Sequence, residues 1–590
     1  MGVRMMKFSE LKYERPDYEA LKNEFNQLMM QFEAASSAKE QIEIIYRISE
    51  IRGMIETMEV LAADRHAINV KDEFYEVETE YWDEQEAIYE TLFEPYIKAV
   101  VESAFRPELE ESLGKLFFYN LDCQIKAFSP EIVEDLQVES KLQSEYEQIM
   151  AEAMVTFKGE EMTIDDLYAF MEDRDRNTRR AANDAYYQLL VALEAQLDDI
   201  FDQLIKVRTR MARKLGFENF TELGYLRMKR SYCPEAVGKF REQVVRYIVP
   251  VAASIAEDQK MRLGYGELRY FDRGLKFLTG NATPKGSPEW ILEQGAKMYH
   301  EMAPEVAELY EFMVEGELLD VLNRPNKGSG GFASYYVQYQ RPFIFANFNS
   351  TAADIDVLTH EMGHAFQGHE SRHIKVYDLI EPTYDLAEVH ATSMEFLTWP
   401  WMENFFKEDT KKYKYTHLSG NVAGICYIVA IDEYQHLIYE NPEWTPKERK
   451  AAWLEVEKKY QPYLDNRGCD FLERGNGWNG NGDPHIFTDP FYYIDYALAT
   501  ICALQFWKKM QDDQEGTWND FVRICQVGGT MSFSELVEYG NLISPFEDGC
   551  VSGIITEIKD WLEHNKDVEV KVVTVHTLSE TNKRTTSESI

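Results

Sequence analysis

From Tyr18 to about Lys214, apolar residues recur at i, i+3 and i+4 among Glu, Lys, Ala and Leu with few prolines, a spacing that predicts helix after helix. One stretch interrupts it. Val155 to Ile164 reads as a short hairpin turning at Lys158-Gly159, after which Thr163 caps a new helix. A long helix through Arg179 to Lys214 is expected to stop at Gly216, and helical periodicity continues over 234–262 and 287–317. The texture then changes at Asn323 to Gly331, a loop of turn formers. Two short strands are predicted after it, Phe332 to Tyr339 and Phe343 to Phe348, and Pro342 marks the second as an edge strand. Helices return over 351–372, 382–405, 410–440 and 447–460; a glycine-bearing irregular stretch, Asn466 to Pro490, precedes more helix from 491 to about Glu563. The residues from Lys566 onward are polar apart from alternating valines, as in a flexible tail or an edge strand. No repeat of fixed period is present, so the expected fold is mainly α with one small sheet.

Composition narrows the class. Of the 590 residues 45% are hydrophobic and 13% aromatic, enough to bury a large core. Lys and Arg number 62 against 103 Asp and Glu, a net charge of −41, which disfavours binding to nucleic acid or an anionic membrane face. Arg174, Arg176, Arg179 and Arg180 have acidic residues interleaved and read as a solvated helix face. No apolar run approaches the ~18 residues of a membrane helix; the best candidate, near Val244 to Ala256, is broken by Arg246 and Pro250. The N-terminus enters charged sequence directly and carries Met6 where myristoylation needs Ser or Thr, so neither secretion nor lipidation is expected. Cysteines 123, 233, 426, 469, 502, 525 and 550 are scattered singly, which points to reduced thiols and a cytoplasmic location, and none has the spacing of a metal ligand.

The chemistry is concentrated. Twelve histidines serve the whole chain, yet His360, His364, His369, His373 and His390 fall within one short window. Inside it stands His360-Glu361-Met362-Gly363-His364, a His-Glu-x-x-His motif for which composition alone would give about 0.02 occurrences in a chain of this length. On a helix, residues i and i+4 share a face, so both imidazoles can reach one Zn²⁺ at ~2.0–2.1 Å, while i+1 points ~100° away towards a metal-bound water. Glu361 is thereby a candidate general base for water attacking a carbonyl.

A catalytic zinc keeps three protein ligands, so a third is required. The elongated motif with Gly and His three residues apart is absent, because positions 367 and 370 are Gln367 and Glu370. His369 and His373 lie on the same helix and cannot turn back onto its metal; they read as solvated or outer-shell groups. The helix expected from Pro382 carries Glu388, 24 residues after His364, an interval that allows a loop and an antiparallel return. Glu388 is the favoured ligand, with His390 and Glu395 the alternatives; Glu395 also suits the role of holding a histidine N–H.

His360 to Ala365, the Ala387-Glu388 helix and the glycine-rich loop ending in Phe491-Tyr492-Tyr493-Ile494-Asp495-Tyr496 together resemble the oligoendopeptidase F family, relatives of thimet oligopeptidase. The resemblance runs from the N-terminal helices to about residue 563. It implies a two-lobed helical zinc metallopeptidase enclosing a deep channel, with an N-terminal lobe over 1–185, a catalytic domain over 186–565 and a tail from 566. Matched residue by residue, His360, His364 and Glu388 fall on the family's zinc ligands and Glu361 on its catalytic glutamate. His485 and the pair Tyr493-x-x-Tyr496 fall on its substrate-contacting and transition-state-stabilising groups. Gln367 departs from the third motif histidine of many members. Apart from the family, phenol and imidazole donors on a loop with glycines at 475, 477, 480 and 482 could close over an oxyanion, and the Phe343–Phe348 edge could pair with an extended peptide.

The function these features predict is a zinc endopeptidase cleaving short unfolded oligopeptides, with one Zn²⁺ per chain. A zinc carboxypeptidase on a similar fold would need a Lys or Arg for the substrate carboxylate. A silent helical binding protein would be marked by loss of Glu361 or a ligand, and none is lost.

Overall fold

A computed structural model describes residues 6–566 except 325, 329 and 481–484; Gly482 and the tail lie outside the described residues. The fold is mainly α. The N-terminal helices, among them Ala38–Ile68 and Glu73–Val101, bury Phe25, Ile45, Ile48, Phe93, Tyr96 and Phe117 in a core of their own, which also takes in Val376 and Leu379. A larger core runs from Leu11, Leu61 and Ile132 to Leu562 and takes in residues of the sheet and the motif helix. The hairpin is β1 (Val155–Phe157) and β2 (Glu160–Met162), joined by Lys158 and Gly159 in the left-handed region, with φ of 53° and 88°. Thr163 and Asp166 then form a capping box. The long helix is Arg176–Lys214, and Pro400 shortens the predicted 382–405 helix to Tyr384–Leu397.

The second sheet corrects one expectation. Its strands are β3 (Leu319–Leu322), β4 (Phe332–Tyr336) and β5 (Arg341–Phe348), in the order β3-β5-β4. Phe343–Phe348 is therefore the central strand, parallel to β3 and antiparallel to β4, and it leaves no free edge for a peptide. Pro342 is tolerated because alternate amides share a side: the Ile344 N–H donates to the Leu318 carbonyl at 2.9 Å, so the nitrogen of Pro342 points to that same side, before β3 begins to pair. β3 itself, only four residues after a helix, carried no signal of its own.

The N-terminal helices are tied to this sheet. Asp64 on the Ala38–Ile68 helix is buried and accepts hydrogen bonds from the Tyr336 hydroxyl and, at 3.1 Å, from Ser334 Oγ. Burial pushes its carboxyl up to about 7. Nearby, the Gly328 N–H donates to the Ala67 carbonyl at 2.7 Å and the Val70 N–H to that of Asn326 at 2.8 Å.

Candidate active site

β5 delivers the chain to the motif helix, Ala353–Ser371. The amides of Asn349 and Ser350 both donate to the Asp354 carboxylate at 2.8 Å, fixing the turn and setting a negative charge at the positive end of the helix. The motif helix crosses the Tyr384–Leu397 helix at Gly363, where the backbones approach so closely that a Cβ would stand 2.6 Å from Ala391 Cα and 2.7 Å from the His390 carbonyl oxygen. That crossing sets Glu388 against the two imidazoles.

His360 Nε2 lies 3.3 Å from Glu388 Oε2 and His364 Nε2 lies 4.0 Å from Glu388 Oε1. The ligating atoms of all three lie within 4.8 Å of one another. Tetrahedral ligation at ~2.0–2.1 Å separates donor atoms by roughly 3.3 Å, so this two-nitrogen, one-oxygen set closes on a single ion with small adjustments. Among the described residues the buried Oε2 of Glu388 accepts no well-formed hydrogen bond, its nearest ring nitrogen being His360 Nε2 at 3.3 Å, as suits a metal-directed oxygen. The residues fit a metal.

His390 is fully buried elsewhere, its ring edge-on to Phe521 with centroids 6.3 Å apart, and burial pushes it down to about 3. His369 packs near Phe312, and His373 is exposed beside the Glu370 carbonyl, both beyond the cluster. Gln367 donates to Ser371 Oγ and the Ile380 carbonyl. Glu395 is not in the cluster but accepts from His360 Nδ1 at 2.7 Å and bonds His417 Nε2 at 2.8 Å. Trp399 Nε1 in turn donates to His417 Nδ1 at 3.2 Å.

Glu361 is 6% exposed. Burial, with the nearby Glu388 and Glu395 charges, outweighs the attraction of His360 and pushes its carboxyl up to about 7. Burial also raises Glu388 and Glu395, but their histidine contacts prevail: Glu388 is held below the usual carboxylate range and Glu395 at about 2. His364 is driven down to about 4, chiefly by burial.

The tyrosine segment lies opposite. Phe491 adopts a left-handed φ of 73°, held by its N–H donating to Gln435 Oε1 at 2.7 Å and by Arg230, which bonds its carbonyl and the Asp495 carboxylate. The Tyr493–Asp512 helix starts from this anchor. His485 Nε2 stands 3.0 Å from the Tyr496 hydroxyl, and its ring stacks on Tyr492. Tyr493 is buried, edge-on to Tyr427. The hydroxyl that reaches Glu388 Oε1, at 2.6 Å, belongs to Tyr492, which the Tyr493-x-x-Tyr496 spacing passed over. His417 and Trp399 were also missed; they sit on separate elements with no local pattern linking them to the motif.

Fold and cluster together define a helical protein whose His-Glu-x-x-His pair and a carboxylate from the next helix converge on one point. The family model described as Peptidase family M3 matches residues 169–549, and that of the Peptidase M3 N-terminal domain matches 8–128. The chain belongs to peptidase family M3. A solved structure of PZ peptidase A with an inhibitor superposes with a TM-score of 0.92 at 48% identity, over 95% of this chain and 100% of that one. Oligopeptidase PepF of Bacillus subtilis (strain 168) is 22% identical over 340 residues, 57% of this chain and 49% of its own length. An oligoendopeptidase F homolog of Lactococcus lactis is 21% identical over 409 residues, 67% of this chain and 63% of its own. The chain thus aligns with about half to two thirds of the length of these curated relatives. Among the described residues no helix is long and apolar enough to cross a membrane.

Proposed function

We propose that this chain is a zinc-dependent endopeptidase that hydrolyses internal bonds of short unfolded oligopeptides, with His360, His364 and Glu388 holding Zn²⁺ and Glu361 acting as general base. The observation that carries it is the buried Glu361 carboxylate one residue beyond His360, beside three convergent ligand atoms. When bound, zinc supplies acidification of water and polarisation of the scissile carbonyl. Glu361 takes the proton from the attacking water on its carboxylate and returns it to the leaving amine. Tyr496 donates its hydroxyl to the developing oxyanion, supported by the His485 imidazole 3.0 Å away, while Tyr493 buttresses the pair from the core. Support comes also from relatives named for oligopeptides and from the likeness to PZ peptidase A. With β5 covered on both sides, backbone pairing with a peptide falls to an outer strand, β3 or β4. A cytoplasmic location accords with seven unpaired cysteines, six of them buried.

The test is digestion of an internally quenched peptide library read by mass spectrometry, with chelator and after Zn²⁺ is restored. Internal cuts in peptides of about 5–20 residues, abolished by chelator and recovered with Zn²⁺, are expected. Release of single C-terminal residues would instead assign a carboxypeptidase, and inert peptides would sink the enzyme reading.

A further inference from the structure

The hydrogen bonds behind His360 run through Glu395 to a buried histidine and tryptophan. Trp399 and His417 are buried, at 4% and 7% exposure, and the indole nitrogen lies 3.2 Å from His417 Nδ1. An indole N–H can only donate. His417 Nδ1 must therefore present a lone pair, and the single proton of that ring sits on Nε2, which donates to Glu395 Oε2 at 2.8 Å. Glu395, a carboxylate with acceptors only, receives a second N–H at Oε1 from His360 Nδ1 at 2.7 Å. That bond turns the other ring nitrogen of His360, Nε2, towards Glu388, whose Oε2 lies 3.3 Å away. Glu395 and Asp356, the latter 3.9 Å from His417 Nε2, favour a charged ring. An imidazolium, however, would aim an N–H at the indole N–H, so the neutral form is the one that the buried geometry accepts.

We propose that Trp399 and His417 are positioning residues that hold the Glu395 carboxylate against His360 Nδ1, so that His360 Nε2 is aimed at the metal cluster. The inference rests on the metal reading above. It is tested on the full-length protein by competing Zn²⁺ against a chromophoric chelator, with thermal melts and ¹⁵N spectra of histidine-labelled, metal-free protein. Trp399→Phe keeps a ring but no donor and should weaken Zn²⁺ binding about tenfold; His417→Leu should weaken it about 10–100-fold, the usual cost of losing an outer-shell partner. His417→Gln should stay within about threefold of the unaltered protein, because a carboxamide offers an acceptor oxygen to Trp399 and an N–H to Glu395 and cannot titrate. The ¹⁵N spectrum should show a bare Nδ1 on His417 and a protonated Nδ1 on His360. Zn²⁺ affinity unchanged in Trp399→Phe or His417→Leu, even with a lowered melting temperature, would mean plain packing and overturn the inference alone. A glutamine variant as weak as the leucine one would do the same. Failure of the unaltered protein to bind stoichiometric Zn²⁺ would overturn the metal reading, and this inference with it.

Discussion

Gly363→Ala is the sharpest test of how the helix crossing builds the cluster. The added Cβ would stand 2.6 Å from Ala391 Cα, whereas ordinary contact begins at 3.4 Å, so the two helices must part by about 0.8 Å or rotate. The obstacle is backbone, which no rotamer change can clear. Metal–ligand distances tolerate only about ±0.2 Å, so Glu388 would be carried out of reach of an ion held by His360 and His364. Zn²⁺ affinity should fall by at least the ~10–100-fold that an outer-shell loss costs, and overpacking should cost about 1–3 kcal/mol of stability. The assay is Zn²⁺ competition with a chelator beside a thermal melt. Gly420→Ala is the control: its Cβ would meet nothing within 4 Å, so affinity and melting should hold or melting should rise slightly. A Gly363→Ala protein that binds Zn²⁺ as tightly as the unaltered one would refute the claim that this close approach positions Glu388.

Other outcomes follow from single groups. Glu361→Gln should keep its Zn²⁺ and lose turnover; more than about a tenth of normal kcat would end the general-base assignment. Tyr496→Phe should lower kcat by about 10²–10³-fold with KM nearly unchanged, and a phosphinic peptide should lose affinity in proportion to kcat/KM; intact inhibitor affinity would move the hydroxyl elsewhere. Glu139 is buried, bonded to Arg208 at 2.6 Å and Arg227 at 2.8 Å; burial opposes its charge, but the two arginines hold its carboxyl down at about 2. Because the folded value is depressed, the stability it contributes, on the order of 3 kcal/mol, is full above the ordinary value near 4.5 and drains away as pH falls towards 2. In acid titrations Glu139→Gln should be less stable at neutral pH and lose less stability than the unaltered protein over that interval; parallel curves would contradict the pairing.

Elements with a local cause were legible in the sequence, and those decided by distant partners were not. The 410–440 periodicity is the helix Thr410–Glu440, and Lys158-Gly159 turns the hairpin because both residues take positive φ. Pro342 misled because its place on a strand matters more than its presence. The uninterrupted apolar run Phe343-Ile344-Phe345-Ala346 is what a strand covered on both faces carries, and it was the better guide. His360, Glu361, His364 and Glu388 stand out because helical spacing and one loop are enough to bring them together. Tyr492 does not, because the left-handed turn at Phe491 decides which tyrosine faces Glu388. Trp399 and His417 reach the cluster only through packing against the Thr410–Glu440 helix, on which His417 sits.

The seam between the N-terminal helices and the sheet bears on modularity. The two family models leave a gap, residues 129–168, that invites cutting the chain there and expressing or exchanging the pieces. Each piece would keep half of a shared hydrogen-bond set: the Asp64 carboxylate and the Ala67 carbonyl on one side, the Tyr336 and Ser334 hydroxyls and the Gly328 amide on the other. Each group left buried without its partner costs about 1–3 kcal/mol. Chimaeras with another member of the family should therefore fold when both faces of the seam travel together, and swaps that respect only the gap in the linear match should fail.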